Sequence, residues 1–291
     1  MGVPAQALFA QLLLGLINGA FYAMLSLGLA IIFGLLNVIN FAHGALYMLG
    51  AFVAWGLLHY AGIGYWPALI LSPVIAGAVG MALEKTLIAR VYKLDHIYGL
   101  LLTYGVMMFI QGMFVYWFAT AGRPYPVPFD LRGGFDLGFL FLPKYRAWVV
   151  LASLIFCFGT WFAIEKTSLG RTLRAATENP QLTRAFGINV PALLTFGFGA
   201  GVALAGFAGV LAAPIYSVSP LMGGELVITV FAVVVVGGMG SILGAIVTGL
   251  GLGVIEGFTK VFYPPGANMV IFVIMFIVLL IKPAGLFGRE R

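Results

Sequence analysis

The sequence predicts an all-α, polytopic integral membrane helix bundle with about eight to ten transmembrane helices, on grounds of composition, apolar run length and charge placement. Of the 291 residues, 62% are hydrophobic and only 8% are charged, whereas soluble domains usually carry about 25% charged residues. Several apolar runs reach the roughly 20 residues that a helix needs to cross a bilayer. No Asp, Glu, Lys or Arg precedes Glu84. Residues 1–291 are therefore predicted to form a single transmembrane domain.

Nine apolar segments are the candidate spans, and one long connection interrupts them. Because proline and glycine are dense in residues 120–146, we expect extended structure and turns there instead of a helix. The predicted spans cover approximately 8–34, 38–58, 66–83, 98–119, 147–164, 192–213, 226–243, 245–261 and 269–281.

Basic residues predict the orientation of these spans. Ten of the 15 Lys and Arg residues fall on the same side as a short charged segment, residues 165–188, and five fall on the other side. Positively charged loops favour the cytoplasm. We therefore expect a multi-pass protein of the cell (inner) membrane, with residues 165–188 and the C-terminus cytoplasmic and the N-terminus outside.

Charge and cysteine content exclude several other classes of protein. The net charge of +6 comes from cations scattered over the connections, so it indicates membrane orientation and gives no support for a nucleic-acid partner. Cys157 is the single cysteine, which excludes an intramolecular disulfide and a cysteine metal cluster. No metal site is predicted.

The charged segment 165–188 is predicted to form two short helices on the membrane surface. Leu169, Leu173 and Ala176 are spaced as one helical face. Asn179-Pro180 then breaks this helix and suits the start of a second one, because Asn is a good N-cap and Pro fits the first helical position. Gly187 is a suitable stop. The pattern leaves open whether this pair contacts a protein partner or anionic membrane lipid.

Polar residues near the second span form a second candidate site. Their spacing predicts one face of a helix, and polar groups at membrane depth usually face a cavity or a protein interior. That face either lines a translocation pathway or locks helices together by hydrogen bonds. The residues concerned are Asn37, Asn40, His43, Gly44 and Tyr47. A metal ligand is the least favoured role for His43, because no second ligand lies near it in sequence.

A glycine cluster in the second half of the chain is the corresponding candidate. Gly237, Gly238 and Gly240 favour an unwound or kinked backbone within a span, which is tolerated where it lines a cavity or is buried in protein. Breaks at corresponding places in two halves of a transporter point to a central pathway. We therefore add these three glycines to the predicted pathway.

Two features of the 245–261 span concern packing and charge. Gly249, Gly253 and Gly257 make consecutive G-x-x-x-G steps, which favour close helix packing. Glu256 and Lys260 are four residues apart and can pair on one helix. An intramembrane Glu is also typical of proton coupling, so both roles stay open.

Three segments resemble one protein family. The segment from Ser168 to Ile188, including Gly170-Arg171 and Glu178-Asn179-Pro180, is similar to the cytoplasmic loop of permease subunits of branched-chain amino acid ABC importers of the high-affinity leucine/isoleucine/valine type. Asn40-Phe41-Ala42-His43-Gly44 resembles a core motif of the same family. Residues 236–245 resemble its Gly-Gly-x-Gly-Ser stretch.

The resemblance implies a transport subunit that is not an enzyme and binds no cofactor. ATP and Mg would be bound by a separate ATP-binding subunit, a second permease subunit (a paralogue or a second copy) would pair with this chain, and a soluble substrate-binding protein would deliver the amino acid. The 165–188 loop would dock on the ATP-binding subunit. The residues to which the resemblance assigns this coupling role are Gly170, Arg171, Arg174, Ala175, Glu178 and Gly187.

One alternative function is a stand-alone proton- or ion-coupled carrier of small polar solutes. It needs titratable groups in the spans, and His43 and Glu256 are the candidates. An enzyme is disfavoured, because the sequence has no H-E-x-x-H or G-x-S-x-G motif. It also has no G-x-x-x-x-G-K-[ST] phosphate-binding loop.

Overall fold

The computed structural model describes residues 5–36, 38–92, 94–136, 138 and 141–288. Eleven α-helices and one two-stranded antiparallel sheet lie within these residues. The helices are α1 (Ala5–Leu36), α2 (Ala42–Ala61), α3 (Tyr65–Thr86), α4 (His96–Phe118), α5 (Lys144–Lys166), α6 (Ser168–Glu178), α7 (Pro180–Ala185), α8 (Val190–Ala212), α9 (Met222–Gly237), α10 (Ile242–Phe262) and α11 (Val270–Ile281). The strands are β1 (Gly134–Asp136) and β2 (Phe141–Pro143).

Membrane-spanning length is reached by seven of the described helices, namely α1 to α5, α8 and α10. Two shorter apolar helices, α9 and α11, account for the remaining predicted segments. Within the described part of the chain, the prediction of an all-α membrane bundle is therefore confirmed. The connection between α4 and α5 holds the small hairpin of β1 and β2, which agrees with the extended structure expected there.

Helices α4 and α5 each carry large apolar side chains that are exposed. Leu101 and Phe109 on α4 are 59% and 68% exposed, and Ile155 and Phe158 on α5 are 57% and 55% exposed. Large apolar side chains in such numbers are unfavourable in water and favourable in lipid tails. Each of these helices is therefore compatible with a lipid environment.

Contacts divide the chain into two compact units. Unit 1 comprises Met1–Leu27, Pro126–Phe158 and Thr229–Arg291, and unit 2 comprises Gly28–Tyr125 and Gly159–Ile228. The division concerns contact density, so the single transmembrane domain over residues 1–291 stays a prediction.

The core of unit 2 is built from α2, α3 and α8. Small residues let these helices approach closely: a Cβ added to Gly77 of α3 would lie 3.0 Å from the Gly199 carbonyl oxygen of α8. A Cβ on Gly80 would lie 2.7 Å from a Val202 methyl carbon. Contacts this short leave little space for a side chain, so α3 and α8 approach closely at both positions.

In unit 1 the closest packing joins α1 to α10. A Cβ on Gly15 would lie 2.6 Å from the Gly253 carbonyl oxygen, and one on Gly19 would lie 2.8 Å from the Leu250 carbonyl oxygen. A Cβ on Gly257 would lie 2.5 Å from the Gln11 carbonyl oxygen. The close packing predicted from the G-x-x-x-G steps is confirmed, and its partner is the first helix of the chain.

Candidate functional site

The charged segment folds as the two predicted short helices, α6 and α7. The Asn179 side-chain oxygen accepts a hydrogen bond of 2.9 Å from the Leu182 N–H, and Pro180 occupies the first turn of α7. Gly187 has a φ of 81°, a left-handed conformation that glycine adopts at little cost. The cap, the corner and the stop therefore lie where the sequence placed them.

Gly170 allows α6 to fold back on the end of α5. The residue is buried, and a Cβ there would collide with the Ile164 backbone carbonyl. One turn further along α6, the Arg174 guanidinium pairs with the Glu165 carboxylate at 3.1 Å. Both side chains are about two-fifths exposed, 40% and 42%, so this ion pair contributes little to stability.

Many other side chains of the α6–α7 pair are exposed, and they are both apolar and charged. Leu169, Leu182 and Phe186 are 65%, 55% and 77% exposed. Ala176, which α6 places on the same helical face as Leu169 as predicted, is buried. Among the predicted coupling residues, four are exposed, Arg174 is half-buried and Gly170 is buried. The exposed four are Arg171, Ala175, Glu178 and Gly187.

The polar segment before α2 differs from its prediction. Asn37 lies outside the described residues. Asn40 precedes α2, which begins at Ala42, so the predicted continuous helical face is wrong. The reason is Thr103 of α4, whose hydroxyl accepts from the Phe41 N–H at 3.2 Å and donates to the Ile39 carbonyl at 3.0 Å. These bonds satisfy backbone groups on both sides of Asn40 without a helix.

Burial is shared by the described members of this set. Asn40, His43 and Tyr47 are each 1% exposed. The His43 ring lies against Gly28 of α1, where a Cβ would be 2.9 Å from its Cε1 atom. Gly44 of α2 is also buried. These residues occupy the interior of unit 2, which suits either a pathway or a helix lock, so their place in a pathway stays a prediction.

The glycine cluster forms a turn between α9 and α10. Helix α9 ends at Gly237, and Gly238 and Gly240 have φ angles of 99° and 84°. The Ser241 hydroxyl then accepts from the Gly244 N–H at 3.1 Å and caps α10. The unwound backbone predicted at these glycines is confirmed, but it separates two helices instead of interrupting one, because these positive φ angles end α9 before α10 begins.

The end of α9 also pairs with the C-terminal segment, residues 282–288. The Leu286 N–H donates to the Val236 carbonyl at 2.8 Å, and the Phe287 N–H donates to the Gly237 carbonyl at 3.1 Å. Carbonyls at a helix end have no partner within the helix. The segment supplies those partners, which gives the glycine turn a structural task beside the predicted one.

A buried carboxylate cluster in unit 2 was missed by sequence reasoning. Glu84 at the end of α3 is 2% exposed. Its oxygens accept hydrogen bonds from the Tyr92 hydroxyl and, at 2.6 Å, from the Thr195 hydroxyl of α8. Burial, and next the hydrogen bond to Glu84, raises the pKa of Tyr92 above its usual range, so Tyr92 remains a donor. The available signal was an acid directly after a long apolar run.

The predicted Glu256–Lys260 pair is confirmed in unit 1. The Lys260 amino group lies 2.5 Å from a Glu256 carboxylate oxygen. The second oxygen accepts a 2.7 Å hydrogen bond from the Tyr22 hydroxyl of α1, which the sequence did not indicate. Glu256 is thus held in a structural link between α1 and α10.

Similarity to known proteins covers nearly the whole chain. Residues 11–280 match the family model described as branched-chain amino acid transport system / permease component. The chain belongs to this permease family. The match includes the α6–α7 loop, the Asn40–Gly44 segment and the glycine turn, so the family resemblance drawn from these three segments is confirmed.

Individual relatives agree with the family match. The permease is 31% identical to the high-affinity branched-chain amino acid transport system permease protein BraD of Pseudomonas aeruginosa, over 97% of this chain and 96% of the relative. It is 28% identical to the corresponding LivH protein of Escherichia coli, over 75% of this chain and 72% of the relative. A probable LivH of Methanocaldococcus jannaschii is 32% identical over 53% and 49% of the two chains. No solved structure matches the permease.

Proposed function

We propose that this permease forms the transmembrane pathway of an ATP-driven importer for branched-chain amino acids. The observation that carries the proposal is family membership over residues 11–280, supported by relatives whose names specify branched-chain amino acid transport. The stand-alone carrier gains no support, because Glu256, its intramembrane carboxylate, is already paired with Lys260 and Tyr22. His43, its other titratable candidate, is packed against Gly28.

The α6–α7 pair is the proposed contact for a separate ATP-binding subunit, which would hold ATP and Mg. Its exposed surface combines Leu182 and Phe186 with Arg171 and Glu178. A surface with apolar anchors and charged neighbours is typical of protein interfaces. In this proposal Gly170 and Gly187 shape the loop, and Arg171, Arg174, Ala175 and Glu178 face the partner.

The remaining parts of the proposed assembly follow from the importer class. A second permease subunit, either a paralogue or a second copy, would complete the membrane part. A soluble binding protein would deliver the amino acid outside, opposite the cytoplasmic α6–α7 loop. The ten Lys and Arg residues predicted to lie on the same side of the membrane as the α6–α7 loop support this orientation. Asn37, Asn40, His43, Gly44 and Tyr47, with Gly237, Gly238 and Gly240, are the proposed pathway residues.

Reversing the charge of Arg174 tests the loop contact. With all partner subunits and the binding protein present, we expect Arg174→Glu to lower uptake of radiolabelled leucine about tenfold or more, as removal of an interfacial charge costs on the order of 2 kcal/mol. Pull-down from the native membrane should recover less ATP-binding subunit with this variant than with the wild type.

Glu165→Gln is the matched control, because it breaks the same intramolecular ion pair but leaves the Arg174 cation in place. It should retain wild-type uptake. Full uptake by the Arg174 variant would remove the loop from the mechanism, and wild-type vesicles that take up no leucine, isoleucine or valine would contradict the substrate class.

A further inference from the structure

Glu84 joins three separate segments of unit 2 through one carboxylate. It lies two residues before the end of α3 and is 2% exposed. Its donors come from elsewhere in the chain: Thr195 belongs to α8, and Tyr92 belongs to the connection between α3 and α4. A buried carboxylate is costly unless its oxygens are satisfied. These segments therefore keep their relative positions as long as water does not replace the hydrogen bonds from Tyr92 and Thr195 to the Glu84 carboxylate.

Helix α8, which carries Thr195, begins directly after the α6–α7 loop. Both α6 and α7 contact α8. Leu173 of α6 reaches it at Gly197, where an added Cβ would lie 3.6 Å from the Leu173 Cδ2 atom. The first two turns of α8 thus touch the loop on one side and Glu84 on the other. A displacement of the loop therefore acts on the turns of α8 in which the Thr195 hydroxyl is bonded to Glu84.

Packing makes α3 a stiff extension of this contact. Gly77 and Gly80 of α3 lie against Gly199 and Val202 of α8 with little room for a side chain. Close-packed helices transmit displacement as units because their side chains have no free volume. Apolar packing resists separation of the two helices, but a directional hydrogen bond also fixes their sliding and rotation.

We propose that Glu84 is a positioning residue that makes α3 and the Tyr92 connection follow α8 when the α6–α7 loop moves. The inference rests on the proposed function, because the ATP-binding subunit is the partner that would move the loop. Loss of the link should leave the permease assembled and its partner able to hydrolyse ATP. It should lower the number of substrate molecules moved for each ATP hydrolysed.

The chain offers side chains that separate coupling from folding. Thr195→Val removes the donor to Glu84 and keeps the side-chain shape, whereas Thr195→Ser keeps the donor. Thr86→Val is the matched control, because the Thr86 hydroxyl donates to the Ala82 carbonyl one turn earlier on the same helix. Tyr92→Phe removes the second donor in a connection outside the long helices.

The experiment is reconstitution of the complete transporter, with ATP-binding subunits and binding protein, in proteoliposomes. Uptake of leucine and ATP hydrolysis are measured in the same vesicles. We expect Thr195→Val to lower uptake per ATP about fivefold or more, the usual lower limit for coupling between sites. Thr195→Ser and Thr86→Val should both match the wild type.

Each outcome bears on a different claim. Wild-type uptake per ATP in the Thr195→Val transporter would overturn the positioning role. If that variant is not recovered as an assembled complex, Tyr92→Phe decides: a lower uptake per ATP supports the role, and an unchanged ratio overturns it. Absence of uptake in the wild type contradicts the proposed function itself, independently of Glu84.

Discussion

Two buried glutamates, Glu84 in unit 2 and Glu256 in unit 1, accept similar tyrosine hydrogen bonds but differ in their second partner. Glu84 is completed by the Thr195 hydroxyl of another helix. Glu256 is completed by the Lys260 amino group four residues along its own helix. A hydroxyl can donate or accept a hydrogen bond, whereas an ammonium group only donates. The first cluster therefore depends on geometry between segments, and the second depends on charge within one helix.

The difference shows that a buried acid in this permease has two distinct uses. Glu256 is neutralised locally, and the Tyr22 hydroxyl links it to a helix, α1, that is already in backbone contact with α10. No cation pairs with Glu84 among the described residues, where salt bridges occur at Glu165–Arg174 and Glu256–Lys260. Glu84 thus holds separate segments together by hydrogen bonds alone.

The largest expected effect tests whether the backbone contact between α1 and α10 contributes most of the stability of the region around Glu256. Gly253→Val would push a side chain into Gly19 and Gly15 of α1. We expect this substitution to lower the free energy of unfolding by about 3 kcal/mol or more, which is at the upper end of the range for an overpacked core. Gly251→Val is the control on the same helix, because no described atom beyond the neighbouring turns of α10 lies within 4 Å of its added Cβ. Thermal unfolding in detergent measures both, and equal stability of the two variants would contradict the packing.

An intermediate effect separates the two carboxylates directly. In Glu84→Gln the new amide can donate a hydrogen bond to one hydroxyl and accept one from the other. We therefore expect the free energy of unfolding to change by less than about 0.5 kcal/mol. In Glu256→Gln the Lys260 ammonium loses its charged acceptor. Because the Lys260 side chain is 37% exposed, water replaces part of the lost interaction, and we expect the free energy of unfolding to fall by about 1 kcal/mol.

Detergent unfolding of both glutamine variants in low and high salt checks this pair. The Glu256 variant should also lose the salt dependence that the ion pair confers on the wild type. A larger loss of stability in the Glu84 variant than in the Glu256 variant would contradict this assignment of hydrogen bonds to Glu84 and of charge to Glu256.

The smallest expected effect concerns the Tyr22 hydroxyl. Tyr22→Phe removes the hydrogen bond to Glu256 but keeps the ring, and we expect a loss of about 0.6 kcal/mol, the average for polar contacts between membrane helices. Tyr60→Phe serves as its control, because Tyr60 is 74% exposed at the end of α2. If Tyr22→Phe costs as much as Gly253→Val, the hydroxyl and not the backbone contact holds α1 to α10.

Local signals explain why part of the structure could be predicted from sequence. Asn179-Pro180 and Gly187 act on their immediate neighbours, so the α6–α7 pair was predicted with its cap and its stop. The G-x-x-x-G spacing of α10 likewise predicted close helix packing. It did not name the partner helix, because α1 is distant in sequence.

Long-range contacts explain the errors and omissions. Asn40 was placed on a helix because its spacing is helical, but the Thr103 hydroxyl, 62 residues from Phe41, holds the backbone in a different form. The Thr195 donor to Glu84 is 111 residues away. Periodicity within one segment carries no information about such partners, so the Glu84 cluster had no sequence signature beyond a lone acid.

The pairing of residues 282–288 with the end of α9 has a consequence for biogenesis. The Val236 and Gly237 carbonyls receive their donors from Leu286 and Phe287, which are synthesised after the whole of α10 and α11. During translation these carbonyls must first be hydrated or held by another group. The α9–α10 turn therefore reaches its final form late, and a tag fused close behind Gly288 would disturb a helix end that lies far upstream in the gene.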